Sequence, residues 1–251
     1  DFLVQHVKTV DGIDLEAWYV PASAPPPRAT IALFHGYASS KASWLSEANA
    51  LHAMGCAVIL VDFRGSGGSS GGVTTLGYSE SADVAATCDL ADRLIPDRPL
   101  ILYGRSMGSV AVLRAVAVAG VRPAGIVLEC PFDRLLGTVR HRFSAMGLPA
   151  FPCAELLVFW GGVQHGMNGF AHNPVEYAAS VTCPALFMHG TADSRVSVAE
   201  AKAVFDALGG DKSFEVFTDL AHESYFSARP EAWRKYVTEF LDALTTSTAE
   251  E

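Results

Sequence analysis

Five short, nearly continuous apolar runs recur along the chain: Ile31–Phe34, Ala57–Val61, Leu100–Tyr103, Gly125–Leu128 and Ala185–Met188. Runs this short, with no polar alternation, suit strands buried on both faces, the condition of a parallel sheet. The stretches between them are helix-like: Ser43–Met54, Ser81–Leu94, Met107–Ala119 and Ser197–Leu208. A further strand over Ser213–Phe217 precedes a helix near Glu231–Leu244. At the start, Leu3–Thr9 and Ile13–Tyr19 alternate as two strands around the turn residues Asp11-Gly12. Strand–helix alternation predicts an α/β fold with helices on both faces of a mainly parallel sheet.

The stretch from Pro131 to about Val181 breaks this rhythm. It is rich in aromatic and small residues, carries Gly161-Gly162 and several prolines, and is too long for an ordinary connection. The expectation is one domain over residues 1–251, with a small cap or lid inserted at about 131–181. Its residues Phe143, Met146, Phe151, Leu156, Leu157, Phe159 and Trp160 either line an apolar substrate pocket or pack the cap onto the sheet.

Half of the 251 residues are hydrophobic and 18% are charged, which excludes a disordered chain. The net charge of -9 leaves no basic stripe to neutralise phosphates, so a nucleic-acid partner is not expected. No apolar run reaches the length of a membrane span, since Met107–Val121 is interrupted by Arg114. The chain begins at Asp1 without Met or a charged-then-apolar leader, which leaves open a removed signal or anchor, with the cytoplasm favoured. The five cysteines are scattered, form no C-x-x-C pair and are odd in number. No zinc site follows from that spacing; Cys56 and Cys183 read as buried hydrophobes, and a Cys130–Cys153 bridge is an open alternative.

The chemistry concentrates at Gly104-Arg105-Ser106-Met107-Gly108, which follows one apolar run and opens an Ala/Val/Leu-rich helix. A G-x-S-x-G between strand and helix is the setting of a nucleophile elbow: a sharp turn lifts the serine above the sheet edge, and the glycines let strand and helix approach. A serine hydroxyl needs an adjacent base. Of eight histidines, His222 is the one on the loop after the last strand, at the same sheet edge as Ser106. His141, His165 and His172 read as surface or lid residues, and His189 as ordering the loop after its strand. Asp193, on the tight loop after Ala185–Met188, fits the acid that orients the imidazole, with Glu129 as runner-up. The oxyanion of a tetrahedral intermediate would be met by the Met107 N–H and by a second N–H, assigned to Tyr37, on the loop Phe34-His35-Gly36-Tyr37.

These segments, together with Val61-Asp62-Phe63-Arg64-Gly65-Ser66-Gly67 and His189-Gly190-Thr191-Ala192-Asp193, resemble the α/β-hydrolase superfamily, in particular its compact serine-aminopeptidase-like and prolyl-oligopeptidase-like esterase branch. The resemblance implies an eight-stranded sheet whose second strand is antiparallel, a Ser106–Asp193–His222 triad, and Tyr37 and Met107 as oxyanion donors. It implies no cofactor and no metal. The glycine loop Gly65–Gly72 misses the dinucleotide-binding spacing and reads as a loop packed under the site. The expected activity is hydrolysis of small or medium carboxylic esters, a small-molecule substrate. The alternatives are an aminopeptidase or amidase, with Glu129, Asp133 or Glu155 to anchor an amine, an acyl thioesterase, or a non-catalytic binding protein.

Overall fold

The computed structural model describes residues 1–247. Eight strands form one sheet in the order β1-β2-β4-β3-β5-β6-β7-β8. They are β1 (Leu3–Lys8), β2 (Asp14–Val20), β3 (Thr30–Phe34), β4 (Ala57–Val61), β5 (Leu100–Arg105), β6 (Gly125–Glu129), β7 (Ala185–Gly190) and β8 (Lys212–Phe217). β2 runs antiparallel to both β1 and β4, and the remaining pairs are parallel. Every residue of β3, β4, β6 and β7 is buried, as continuous apolar runs require.

Helices cover both faces. α1 (Leu45–Ala53), the single turn α8 (Tyr225–Ala228) and α9 (Pro230–Ser247) lie on one; α2 (Glu80–Leu94), α3 (Met107–Arg114) and α7 (Val198–Ala207) lie on the other. α9 shows why such a sequence docks: Trp233, Val237, Leu241 and Leu244 recur at helical spacing, and all four are buried. Burying a side chain of this size contributes about 1.5–3 kcal/mol. α7 starts at a capping box, in which Ser197 accepts from the Glu200 N–H and the Glu200 carboxylate accepts from the Ser197 N–H.

Between β6 and β7 the chain forms α4 (Leu135–Ala145), α5 (Cys153–His165) and α6 (Pro174–Ala178). α5 buries Ala154, Val158 and Gly162, its small face, and leaves its large residues in solvent. A Cβ on Gly162 would sit 2.6 Å from the Met167 carbonyl oxygen, so the chain leaving the helix packs directly against its backbone.

Because β3 and β5–β8 are parallel, their C-terminal ends share one edge. Phe34 pairs with Gly104, Arg105 with Glu129, Glu129 with Met188, and Gly190 with Phe217. The loops carrying Tyr37, Ser106, Cys130, Asp193 and His222 all leave from this edge. It contains the switch point where β4 and β5 flank β3 on opposite sides, the place where open α/β sheets form a crevice.

Candidate active site

Ser106 stands between β5 and α3 with φ 54° and ψ −114°, a strained conformation for a residue with a Cβ. It is pinned by its neighbours: the Ser106 N–H donates to the Glu129 carbonyl at 2.8 Å, and its own carbonyl accepts from the Val110 N–H at 3.2 Å. The flanking glycines are a steric requirement. A Cβ on Gly104 would lie 2.4 Å from the Gly108 carbonyl carbon, and one on Gly108 would lie 2.1 Å from the Phe34 carbonyl oxygen. Gly108→Ala is expected to destabilise the fold by more than about 4 kcal/mol, because the obstacle is β3 backbone that cannot rotate away. Urea unfolding would show it; a loss below about 1 kcal/mol would mean that β3 and α3 can separate without cost.

The imidazole of His222 is held from both sides. Its Nδ1–H donates to Asp193 Oδ2 at 2.6 Å, and its Nε2 accepts from the Ser106 hydroxyl at 2.9 Å. The carboxylate only accepts, so it fixes the tautomer that leaves the Nε2 lone pair toward the serine. Asp193 is itself ordered by the Arg195 and Val196 N–H groups, which donate to Oδ1 at 2.8 and 3.0 Å. Burial would raise the Asp193 carboxyl, but the bonds and charge from His222 and these N–H groups outweigh burial and hold it below the usual carboxylate range. Burial likewise disfavours a charged His222, but the Cys130 sulfur and the Asp193 carboxylate outweigh that and hold it well above the usual histidine range.

That shift has a kinetic sign. A base must be neutral to take a proton, so turnover is expected to be low while His222 is protonated and to rise as pH climbs through its raised pKa. The acidic limb of the pH–rate profile should lie above that of an ordinary histidine, and Cys130→Ala should move it to lower pH. A limb that stays in place in Cys130→Ala would remove the sulfur from this account.

The structure thus brings Ser106, Asp193 and His222 together; of the two residues assigned to the oxyanion, Met107 follows the serine directly and Tyr37 follows Gly36. The Met107 N–H belongs to the first turn of α3, where no helical carbonyl reaches it. The Gly36–Tyr37 loop lies against the serine, since a Cβ on Gly36 would sit 3.6 Å from the Ser106 Cβ. Buried His35 sets that loop: its Nδ1–H donates to the Gly36 carbonyl at 2.7 Å, and its Nε2 accepts from the Phe63 N–H at 3.1 Å. The Tyr37 ring faces the Arg142 guanidinium of α4 at 5.7 Å.

Several expectations are corrected. Phe151, Leu156, Phe159 and Trp160 are 74%, 52%, 50% and 62% exposed, so they do not pack the cap onto the sheet; Phe143 is half-buried. The reason lies in α5, whose small face is the one that packs. His172 is not a surface residue: it is buried, bonded to the Tyr177 hydroxyl and to the Leu76 carbonyl, and burial lowers its pKa to about 4. Glu129 does not reach His222 but is buried against the Tyr103 hydroxyl and Arg105. Glu155 is paired with Arg140. Cys130 and Cys153 are both free thiols.

Two features escaped sequence reasoning. Arg105, beside the nucleophile, is clamped between Glu129 and Glu47, and Glu47 also accepts from the Ser224 hydroxyl at 2.6 Å. One buried carboxylate therefore ties the serine turn to the histidine loop. Cys130, left-handed at φ 41°, places its Sγ 3.9 Å from His222 Nε2. The only signal for Cys130 was its position directly after the strand end at Glu129. The glycine loop is closed on itself: Asp62 accepts from the Lys41 and Gly68 N–H groups at 2.7 and 2.8 Å, and a Cβ on Gly67 would overlap its carboxylate.

A strained serine on a strand–helix turn, hydrogen-bonded to a histidine held by a carboxylate, sits at the edge of an eight-stranded sheet with one antiparallel second strand. The family model of serine aminopeptidases, S33, matches residues 25–147. An esterase from Pyrococcus furiosus superposes on 97% of this chain and 91% of its own, with a TM-score of 0.79 at 23% identity. The chain has the α/β-hydrolase fold. Among similar proteins, YqkD of Bacillus subtilis is 26% identical over 94% of this chain and 78% of its own. A monoacylglycerol lipase of Mycolicibacterium smegmatis is 27% identical over 79% of this chain and 82% of its own. Among the described residues, no helix is long and apolar enough to cross a membrane.

Proposed function

We propose that this chain is a serine hydrolase that cleaves small or medium carboxylic esters through an acyl-enzyme on Ser106. The observation that carries the reading is the unbroken chain from Asp193 through His222 to the Ser106 hydroxyl. In the proposed reaction His222 Nε2 takes the hydroxyl proton as Ser106 Oγ attacks the ester carbonyl. The Met107 and Tyr37 N–H groups meet the oxyanion, and Asp193 stabilises the imidazolium. The imidazolium then protonates the departing alcohol, and water repeats the sequence to release the acid. Residues 131–181 act as a cap, a reading supported by Arg142 of α4 standing over Tyr37 beside the serine.

Ester rather than amide cleavage is supported by where the acidic side chains are spent. Glu129 and Glu155, two of the three carboxylates considered as anchors for a substrate amine, are held by Arg105 and Arg140. The esterase and lipase names of similar proteins point the same way. Hydrolysis of p-nitrophenyl esters from acetyl to palmitoyl, beside an aminoacyl p-nitroanilide, tests this. Turnover should be greatest on the shorter esters. A maximum at palmitoyl would contradict the size assignment, and anilide cleavage without ester cleavage would contradict the ester reading.

A further inference from the structure

The cysteine spacing carries no metal signature, yet folding assembles one at the sheet edge. Cys130 Sγ and His222 Nε2 lie 3.9 Å apart, and the Ser106 Oγ lies 2.9 Å from the same nitrogen. Cys130, Asp193 and His222 each offer a ligand atom within 4.8 Å of the others. We propose that the site also binds a soft divalent cation, zinc above all, between Cys130 Sγ and His222 Nε2, and that the bound ion shuts off hydrolysis.

Three observations converge. The first is distance. Tetrahedral zinc, at about 2.3 Å from sulfur and 2.0–2.1 Å from nitrogen, sets its S and N ligands about 3.5–3.6 Å apart. The observed 3.9 Å therefore needs a shift of only a few tenths of an ångström. The second is orientation. Asp193 already accepts the Nδ1–H at 2.6 Å, which is the carboxylate–histidine–metal arrangement that holds a ligand imidazole with its Nε2 lone pair outward. Asp193 is thus the outer partner and not a direct ligand. The third is chemistry. A thiolate and an imidazole select zinc, cadmium or cobalt over magnesium or calcium, which prefer oxygen donors. Ser106 Oγ and solvent at the mouth of the site complete the coordination sphere.

Binding displaces to solvent whatever protons Cys130 Sγ and His222 Nε2 carry as the sulfur–metal and nitrogen–metal bonds form; no redox step is involved. The ion takes the Nε2 lone pair that would otherwise receive the serine proton, so a metal-loaded chain cannot activate Ser106. The inference about binding stands on geometry alone; the inhibitory consequence rests on the serine-hydrolase reading.

The test uses the full chain, stripped with chelator and titrated with Co2+. A thiolate-to-cobalt charge-transfer band in the near ultraviolet should saturate at about one ion per chain, disappear on adding Zn2+, and be absent in Cys130→Ala or in Cys130→Ser, which keeps the side-chain volume. In parallel, Zn2+ should suppress ester turnover of the wild type, with recovery on adding EDTA. Half-inhibition of Cys130→Ser should need at least about tenfold more Zn2+, measured relative to its own uninhibited rate. No thiolate band, or the same band in both Cys130 variants, overturns the site. A band with unaltered turnover overturns the inhibition. Absent turnover in the stripped wild type counts against the hydrolase reading, and the cobalt spectrum still decides the site.

Discussion

Ser106→Ala is expected to lower ester turnover by about 10⁴- to 10⁶-fold, a loss of roughly 5–8 kcal/mol of transition-state stabilisation. The residual rate would come from the Met107 and Tyr37 N–H groups and from substrate binding, which survive the change. Alanine keeps the Cβ at φ 54° and deletes only the hydroxyl that donates to His222 at 2.9 Å, so the fold should persist. Urea unfolding of the variant should match the wild type within about 1 kcal/mol. A variant retaining more than a few per cent of wild-type turnover would mean that the nucleophile lies elsewhere.

The second large effect is expected at Asp193. Asp193→Asn should lower kcat by about 10⁴-fold with KM little changed. The Asn side chain fits the same space, but its NH2 can face His222 Nδ1 and leave the proton on Nε2. The imidazole would then present a donor where Ser106 needs an acceptor, and the imidazolium formed in the reaction would lose its counter-charge. A split of kcat from KM separates this from general damage to the site, which would raise KM as well. If the drop were tenfold or less, the carboxylate would serve only to shape the loop before Val196.

The sheet and the placing of Ser106, Asp193 and His222 at one edge were legible because buried parallel strands must be continuous apolar runs, and each run leads into a loop at that edge. Ala57–Val61 coincides with β4, and Gly104–Gly108 straddles the β5–α3 turn, where steric demand leaves only glycine on either side. The segment between β6 and β7 was not legible in the same way. In α5 the residues that pack are Ala154, Val158 and Gly162, while the large apolar side chains face water, so the hydrophobic pattern points away from the buried face. His172 was misread for a related reason: it lies in that segment but is satisfied by the Leu76 carbonyl, 96 positions earlier. Cys130 and the Arg105–Glu47–Ser224 linkage are set by pairings across the sheet edge, between residues as much as 177 positions apart, and no local pattern encodes them.

Ser106 Oγ, as the proposed nucleophile, forms the covalent bond of the acyl-enzyme, and that reactivity can be read directly. The wild type and Ser106→Ala would be treated with a fluorophosphonate, and the intact mass and the labelled peptide determined. One phosphonyl group per wild-type chain is expected, carried on Ser106, and none on the variant. A wild type that stays unlabelled while it hydrolyses esters, or a label on any other residue, would contradict that role of Ser106.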